Sequence, residues 1–195
     1  MSHRIYRIGH FLDSKKGKMT ILGLFILTNI IYVIMLMVTI PMTMIYANDM
    51  PLLDMMPMGY DWNYVNSLFS SLGNNGRLVY LRSQLPLDMI YPFLFAITYA
   101  MILGLLLKKS NQYKPPLWWL CCLPILAGMA DYMENFWILK MLSSYPELHE
   151  STVRTANTFT WIKSMSTMFF FGVVFAVLVK MLWNEISKSK YEHQI

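Results

Sequence analysis

The chain has little charge and almost no cysteine. Of its 195 residues 14% are charged and 56% are hydrophobic, against about 25% charged in a typical soluble domain. A water-soluble globule is therefore not expected. The only two cysteines, Cys121 and Cys122, are adjacent inside an apolar run. Neighbours on a helix point about 100° apart, so the pair offers neither a metal site nor a simple redox couple. No CxxC, Walker or dinucleotide-binding glycine pattern occurs. The histidines, His3, His10, His149 and His193, all fall in loops or tails, which leaves no histidine for a membrane-depth metal or catalytic site. No metal, cofactor or nucleic-acid partner is expected.

What is there in quantity is long apolar sequence. Four stretches, about 19–46, 85–107, 117–142 and 157–183, are each long enough to cross a hydrocarbon core of about 30 Å. The first follows a basic segment with Arg4, Arg7, Lys15, Lys16 and Lys18. It is too long for a signal-peptide apolar region and no small-x-small cleavage site follows, so an uncleaved span is expected. Pro41 is a kink point in it, and Pro92 in the second. The carbonyl that Pro92 frees needs another donor. Trp118 and Trp119 are interfacial anchors at the start of the third.

The expected class is thus all-α: a single domain, 1–195, with four transmembrane helices in a bundle. The one sizeable loop, 47–84, forms a helical cap. Asp61 is an N-cap, and Val65, Leu68, Phe69 and Leu72 mark one apolar helical face. Gly73 is a stop, Asn74-Asn75-Gly76 a turn, and Arg77 to Leu85 a second short helix. Orientation follows from the basic residues. Eleven Lys and Arg lie on the side of the termini and the 108–114 turn, the tail contributing Lys180, Lys188 and Lys190; four (Arg77, Arg82, Lys140, Arg154) lie on the other. The positive-inside rule places both termini in the cytoplasm and the cap outside, and a bacterial plasma (inner) membrane is the expected location.

The third apolar stretch contains Asp131-Tyr132-Met133-Glu134-Asn135. A charged side chain near the bilayer centre costs about 2.5–3.5 kcal/mol even on lenient scales. Asp131, Glu134 and Asn135 stand at i, i+3 and i+4, on one helix face, which should turn toward protein. At 1.5 Å per residue, Asp88 lies about 5 Å inside the outer boundary, Asp131 and Glu134 about 10 Å, and Lys163 about 9 Å. Four ionisable residues from three spans therefore share one layer. Thr160, Ser164 and Thr167 share the face of Lys163. Tyr91 follows Asp88 by one turn and Tyr99 by three. Arg77 and Arg82, on the cap, are candidates to close over the layer.

Such a layer can serve as interhelical glue, with Lys163 pairing Asp131 or Glu134. It can also be a hydrated pocket, the default for membrane-depth charge. One lysine cannot neutralise three acids, which favours the pocket. The leading expectation is a site for a membrane lipid or other apolar or amphiphilic small molecule. Asp88, Asp131, Glu134 and Lys163 line it, with Tyr91, Asn135, Tyr99 and Thr160 beside them. The alternative is an enzyme of lipid or isoprenoid metabolism using Glu134 or Asp131 as acid or base and Lys163 to hold the charge. Ion- or proton-coupled transport ranks lower, since no inner-half charge and no repeat is visible. A pure scaffold is the remaining reading, and a homo-oligomer is compatible with all of them.

Three motifs, Gly76-Arg77-x-x-Tyr80-Leu81, Leu85-Pro86-Leu87-Asp88-x-x-Tyr91-Pro92 and Asp131-x-x-Glu134-Asn135, together resemble a pattern in a family of small four-span bacterial membrane proteins of unassigned function. The resemblance spans about 60–163 and implies the architecture, not an activity. A looser outline, four spans with an extended first loop and intramembrane carboxylates, is similar to proteins of the sterol-isomerase and sigma-2-receptor type. No motif is shared with them, so this is likeness of fold alone.

Overall fold

A computed structural model describes residues 2–114 and 116–192, and the side chains of residues 7–114 and 116–187. His3, Arg4, Lys188, Lys190 and His193, named above, lie outside the described side chains. The described residues are helical apart from short connections and contain no strand. The principal helices are α1 (Ser2–Asp13), α2 (Lys15–Ile34), α3 (Ile40–Met44), α4 (Trp62–Val79), α5 (Leu85–Lys109), α6 (Cys122–Ser144) and α7 (Glu150–Glu192).

Helix α1 forms where the sequence marks only a basic segment. It folds because Gly9 and Leu12 bury against the end of α5 and the following turn. The Lys108 ammonium donates to the Gly9 carbonyl at 2.5 Å. Lys18 pairs with Asp13 at 2.8 Å, and the bond and charge together hold that carboxyl below its usual range. Ser14 caps α2, accepting from the Gly17 amide at 3.0 Å. Buried Thr28 then ties α2 to α5 through Thr98, at 2.9 Å. Past Ile34 the chain widens into a π turn, Met35–Thr39, just ahead of Pro41. A second π turn, Tyr80–Gln84, stands just ahead of Pro86. Both prolines remove an i−4 hydrogen bond; such one-turn widenings are rare in helices and frequently fall at functional sites.

The cap differs from its sequence reading in one respect. Asp61 does cap α4, accepting from the Tyr64 amide at 2.8 Å, and Val65, Leu68, Phe69 and Leu72 are its buried face. Gly73 does break the helix, with φ 57° and ψ −171°, a conformation a residue with a Cβ rarely adopts. The expected turn at Asn74-Asn75-Gly76 is absent, because helix resumes directly after Gly73 and runs through the π turn into α5. Gly76 is needed there for closeness: a Cβ on it would lie 2.5 Å from the Tyr46 Cβ. The last helix starts earlier than the apolar pattern indicates, at Glu150 rather than 157.

Three helical stretches are long and apolar enough to cross a membrane: Lys15–Met44, Trp62–Lys109 and Glu150–Ser187. Helix α6 is not among them. It has 23 residues, but Asp131, Glu134 and Asn135 lower its apolarity. Helices α5, α6 and α7 pack side by side, α2 lies along α5, and α2 and α7 make no extended contact with each other. Two apolar cores result. One gathers Leu52, Leu53, Val65, Leu68, Phe69, Tyr80 and Ile138 at the cap end. The other gathers Leu103, Leu107, Phe170 and Val177 near α1 and the 110–121 turn. Wide exposed apolar faces, among them Phe25, Met37, Phe93, Met129, Phe169 and Phe175, cover the outside. Water does not accommodate contiguous surface of this kind in a monomer.

Candidate functional site

The polar residues of α5, α6 and α7 meet at the level where the two cores join. Helical spacing turns Asp131, Glu134 and Asn135 inward together, and all three are buried. From α7, the Lys163 ammonium lies 3.3 Å from Asp131 and in closer contact with Glu134. Thr160, one turn earlier, donates to Glu134 at 2.6 Å. The ammonium thus bridges two carboxylates on successive turns of α6. The three groups differ in exposure: side chains are 17% accessible at Lys163, 11% at Asp131 and 0% at Glu134. The Asp131–Lys163 edge is the accessible one, whereas Glu134 sits behind it.

Asn135 donates its amide to the backbone carbonyl of Asp88 at 2.8 Å. That carbonyl is the acceptor Pro92 leaves vacant, since residue 92 has no N–H to reach back four residues. The Asp88 side chain is 4% exposed, and its Oδ2 has no hydrogen-bond partner.

Beside this cluster is a cavity of about 580 Å³, within the usual range for small-molecule sites; Glu134, Asn135 and Thr160, expected to line or adjoin it, stand behind its wall and do not border it. Asp88, Asp131 and Lys163 form its polar side, and Tyr32, Met35, Leu36, Tyr91, Phe95 and Met168 its apolar walls. Tyr32 of α2 stacks on Tyr91 of α5 with centroids 5.5 Å apart. Ser164 and Thr167 complete the α7 wall.

Asp54, Met55 and Pro57 border the cavity at the cap end. Asp54 carries no sequence signal beyond being an acid in an aperiodic loop. Its carboxylate accepts from the Tyr80 hydroxyl at 2.8 Å and from the Gln84 amide at 2.8 Å. The Gln84 carbonyl oxygen in turn accepts from the Thr39 hydroxyl. Thr39 and Gln84 are the last residues of the two π turns, so the widened segments of both helices join beneath Asp54. Tyr60, also from this loop, buries its hydroxyl without a partner; burial first, and the Glu134 charge second, raise its pKa.

Three of the candidate residues stand elsewhere. Arg77 is used locally, donating to the Phe69 carbonyl at 2.7 Å and to Asn74 at 2.5 Å, with its guanidinium 4.5 Å from the centre of the Tyr145 ring. Arg82 is exposed on the second π turn. Tyr99 packs in an aromatic cluster with Phe25, Phe95, Phe170 and Phe171. Among the described residues no group of His, Cys, Asp and Glu is arranged to hold a metal ion.

Several helices long and apolar enough to span a bilayer, with a charged cluster turned inward among them, define a helical membrane protein. Comparison with protein-family models, with curated proteins and with solved structures found no match.

Proposed function

We propose that this chain is a four-span protein of a bacterial inner membrane, with both termini cytoplasmic, whose cavity binds a lipid-like or amphiphilic small molecule in the outer leaflet. Several observations support the fourth span. Helix α6, at 23 residues, reaches about 35 Å at 1.5 Å per residue. It is flanked by α5 and α7 along its length, and its acids are turned away from the outside. The excess of Lys and Arg at the end holding α1 and the 108–114 turn supports the orientation. The motif resemblance to small four-span bacterial membrane proteins agrees with this architecture.

The observation that carries the binding reading is the combination within one cavity. Asp88, Asp131 and Lys163 sit on one side of it and Tyr32, Leu36, Phe95 and Met168 on the other. A pure packing cluster would be closed around its charges. The test is native mass spectrometry of the protein released from its own membranes in mild detergent. A bound mass in the range of a membrane amphiphile is expected, lost when Thr167→Trp fills the cavity. Bare protein under every extraction condition overturns the reading.

A second reading, acid–base chemistry on a bound lipid or isoprenoid, is favoured by one feature: Asp131 borders the cavity with an ammonium 3.3 Å away. Incubation in D2O tests it. Reversible proton transfer at a C–H bond would leave deuterium in the bound molecule, and Asp131→Asn would abolish the uptake. A ligand that gains no carbon-bound deuterium rules this chemistry out.

A further inference from the structure

We infer that the cavity is filled sideways from the bilayer, through the cleft between α2 and α7, and that it selects an amphiphile whose head group carries hydrogen-bond donors and no negative charge. The inference rests on the binding reading above and adds the route and the class of ligand.

The route follows from which walls are sealed. At the cap end the loop covers the cavity and is anchored from beneath, its outer residues Met55 and Pro57 being exposed. Leu52 and Leu53 are fully buried, Asp54 is held by Tyr80 and Gln84, and the Tyr64 hydroxyl donates to the Pro51 carbonyl at 2.7 Å. Toward α1, Phe95 packs against Tyr99 and Phe170, with centroids 4.7 and 6.3 Å away, and closes the floor. Helix α5 packs along α6, and α6 along α7. The side without helix packing is where Leu36, in the π turn that continues α2, and Met168 of α7 both border the cavity, since α2 and α7 do not pack together. The residues flanking this cleft, Val33 on α2, Met37 on the π turn that continues it, and Met165 and Phe169 on α7, are all exposed apolar side chains. A cleft rimmed in this way faces hydrocarbon and not water.

The head-group class follows from charge. Three carboxylates border the cavity, Asp54, Asp88 and Asp131, against one ammonium. Lys163 already serves Asp131 and Glu134, so it has little left for an incoming anion. The Asp88 Oδ2 has no donor at all. Leaving a buried acceptor unpaired is unfavourable, and a hydroxyl or ammonium on the ligand would satisfy it. A carboxylate or phosphate placed there would add acceptors where a donor is wanting.

The experiment uses the full chain with Cys121→Ser and Cys122→Ser, carrying Ser164→Cys in the cavity wall, in nanodiscs of neutral lipid. Two maleimides are compared, one on an alkyl chain dissolved in the bilayer and one sulfonated and confined to water. Reaction with the bilayer reagent is expected to be at least about tenfold faster, because the charged reagent does not cross hydrocarbon. Phe175→Cys, on the outer face of α7, is the control for simple lipid exposure. Monoolein should slow labelling of Ser164→Cys about threefold or more by occupancy and leave Phe175→Cys unchanged; oleate should protect neither. Should Ser164→Cys react with the sulfonated reagent as fast as Ser151→Cys at the exposed start of α7, sideways filling fails while the pocket stands. Protection by oleate equal to that by monoolein overturns the head-group selection. Reaction with neither reagent means a closed cavity, and the binding reading fails with the inference. Thr167→Cys, one turn along on the same wall, replaces Ser164→Cys if that variant does not fold.

Discussion

Asn135 of α6 donates its side-chain amide to the backbone carbonyl of Asp88 in α5, at 2.8 Å. The proline four residues on makes that bond necessary, since Pro92 leaves the Asp88 carbonyl without its helical donor. In a membrane there is no water to substitute. Asn135→Leu should therefore lower stability by about 1–3 kcal/mol, the usual cost of an orphaned buried acceptor. Pro92→Ala supplies an N–H and removes the need for the amide. The double variant Pro92→Ala/Asn135→Leu should lose less than Asn135→Leu alone, in a double-mutant cycle read by thermal unfolding in detergent. Additive losses would show that Asn135 acts on something other than this carbonyl.

Lys163 is the only cation among the described residues in contact with the acids of α6. Removing one partner of a buried ion pair strands the others and costs about 3–5 kcal/mol. Lys163→Met should be among the most destabilising single changes in the protein. The triple variant Lys163→Met/Asp131→Asn/Glu134→Gln, which removes the stranded charge as well, should recover most of the loss. Equal unfolding midpoints for the single and triple variants would contradict a charge-based origin.

The inward face of α6 is legible in the sequence because it is expensive: two acids and an amide at i, i+3 and i+4 in an apolar run have nowhere to go but toward protein. The need of the Pro92-freed carbonyl for a partner is equally legible; its partner is not, because Asn135 comes from another helix whose rotation no local pattern fixes. Asp54 is illegible for a related reason. It sits in a loop without period, and only the meeting of two π turns at Thr39 and Gln84 gives it a place. Tyr99 shows the limit of periodicity. It shares the side of Asp88, yet lies about 16 Å further along the axis, level with Phe170 rather than with the cavity. Arg77 is diverted by nearer acceptors, Phe69 and Asn74, that a count of charges does not reveal.

Gln84 links Thr39 of one π turn to Asp54 of the roof. Gln84→Leu keeps the bulk but withdraws a donor from Asp54 and an acceptor from Thr39. A loss of about 1–3 kcal/mol is expected from the groups left unpaired, concentrated in the loop. Hydrogen exchange should rise across 50–57 before it rises in α5 or α6. Uniform acceleration through the whole chain would mean that Asp54 does not pin the roof as described.

Two glycines should respond to the same substitution with opposite signs. A Cβ on Gly128 of α6 would lie 2.7 Å from the Pro92 carbonyl oxygen and 3.0 Å from the Ala96 Cβ. The first neighbour is backbone, so the helices must part to admit it, at the cost of about 1–3 kcal/mol typical of overpacking. Gly172 of α7 has nothing within 4 Å of the corresponding position. There a methyl group meets no obstacle, and alanine gains about 0.5–1 kcal/mol over glycine in a helix interior. Gly128→Ala should lower the unfolding midpoint in detergent and Gly172→Ala should hold or raise it. Because Gly128 adjoins Ala127 on the cavity wall, Gly128→Ala should also change the labelling rate of Ser164→Cys, while Gly172→Ala leaves it unaltered. If both glycines tolerate alanine equally, α5 and α6 are not in the close contact at Pro92 that positions Asn135 against Asp88.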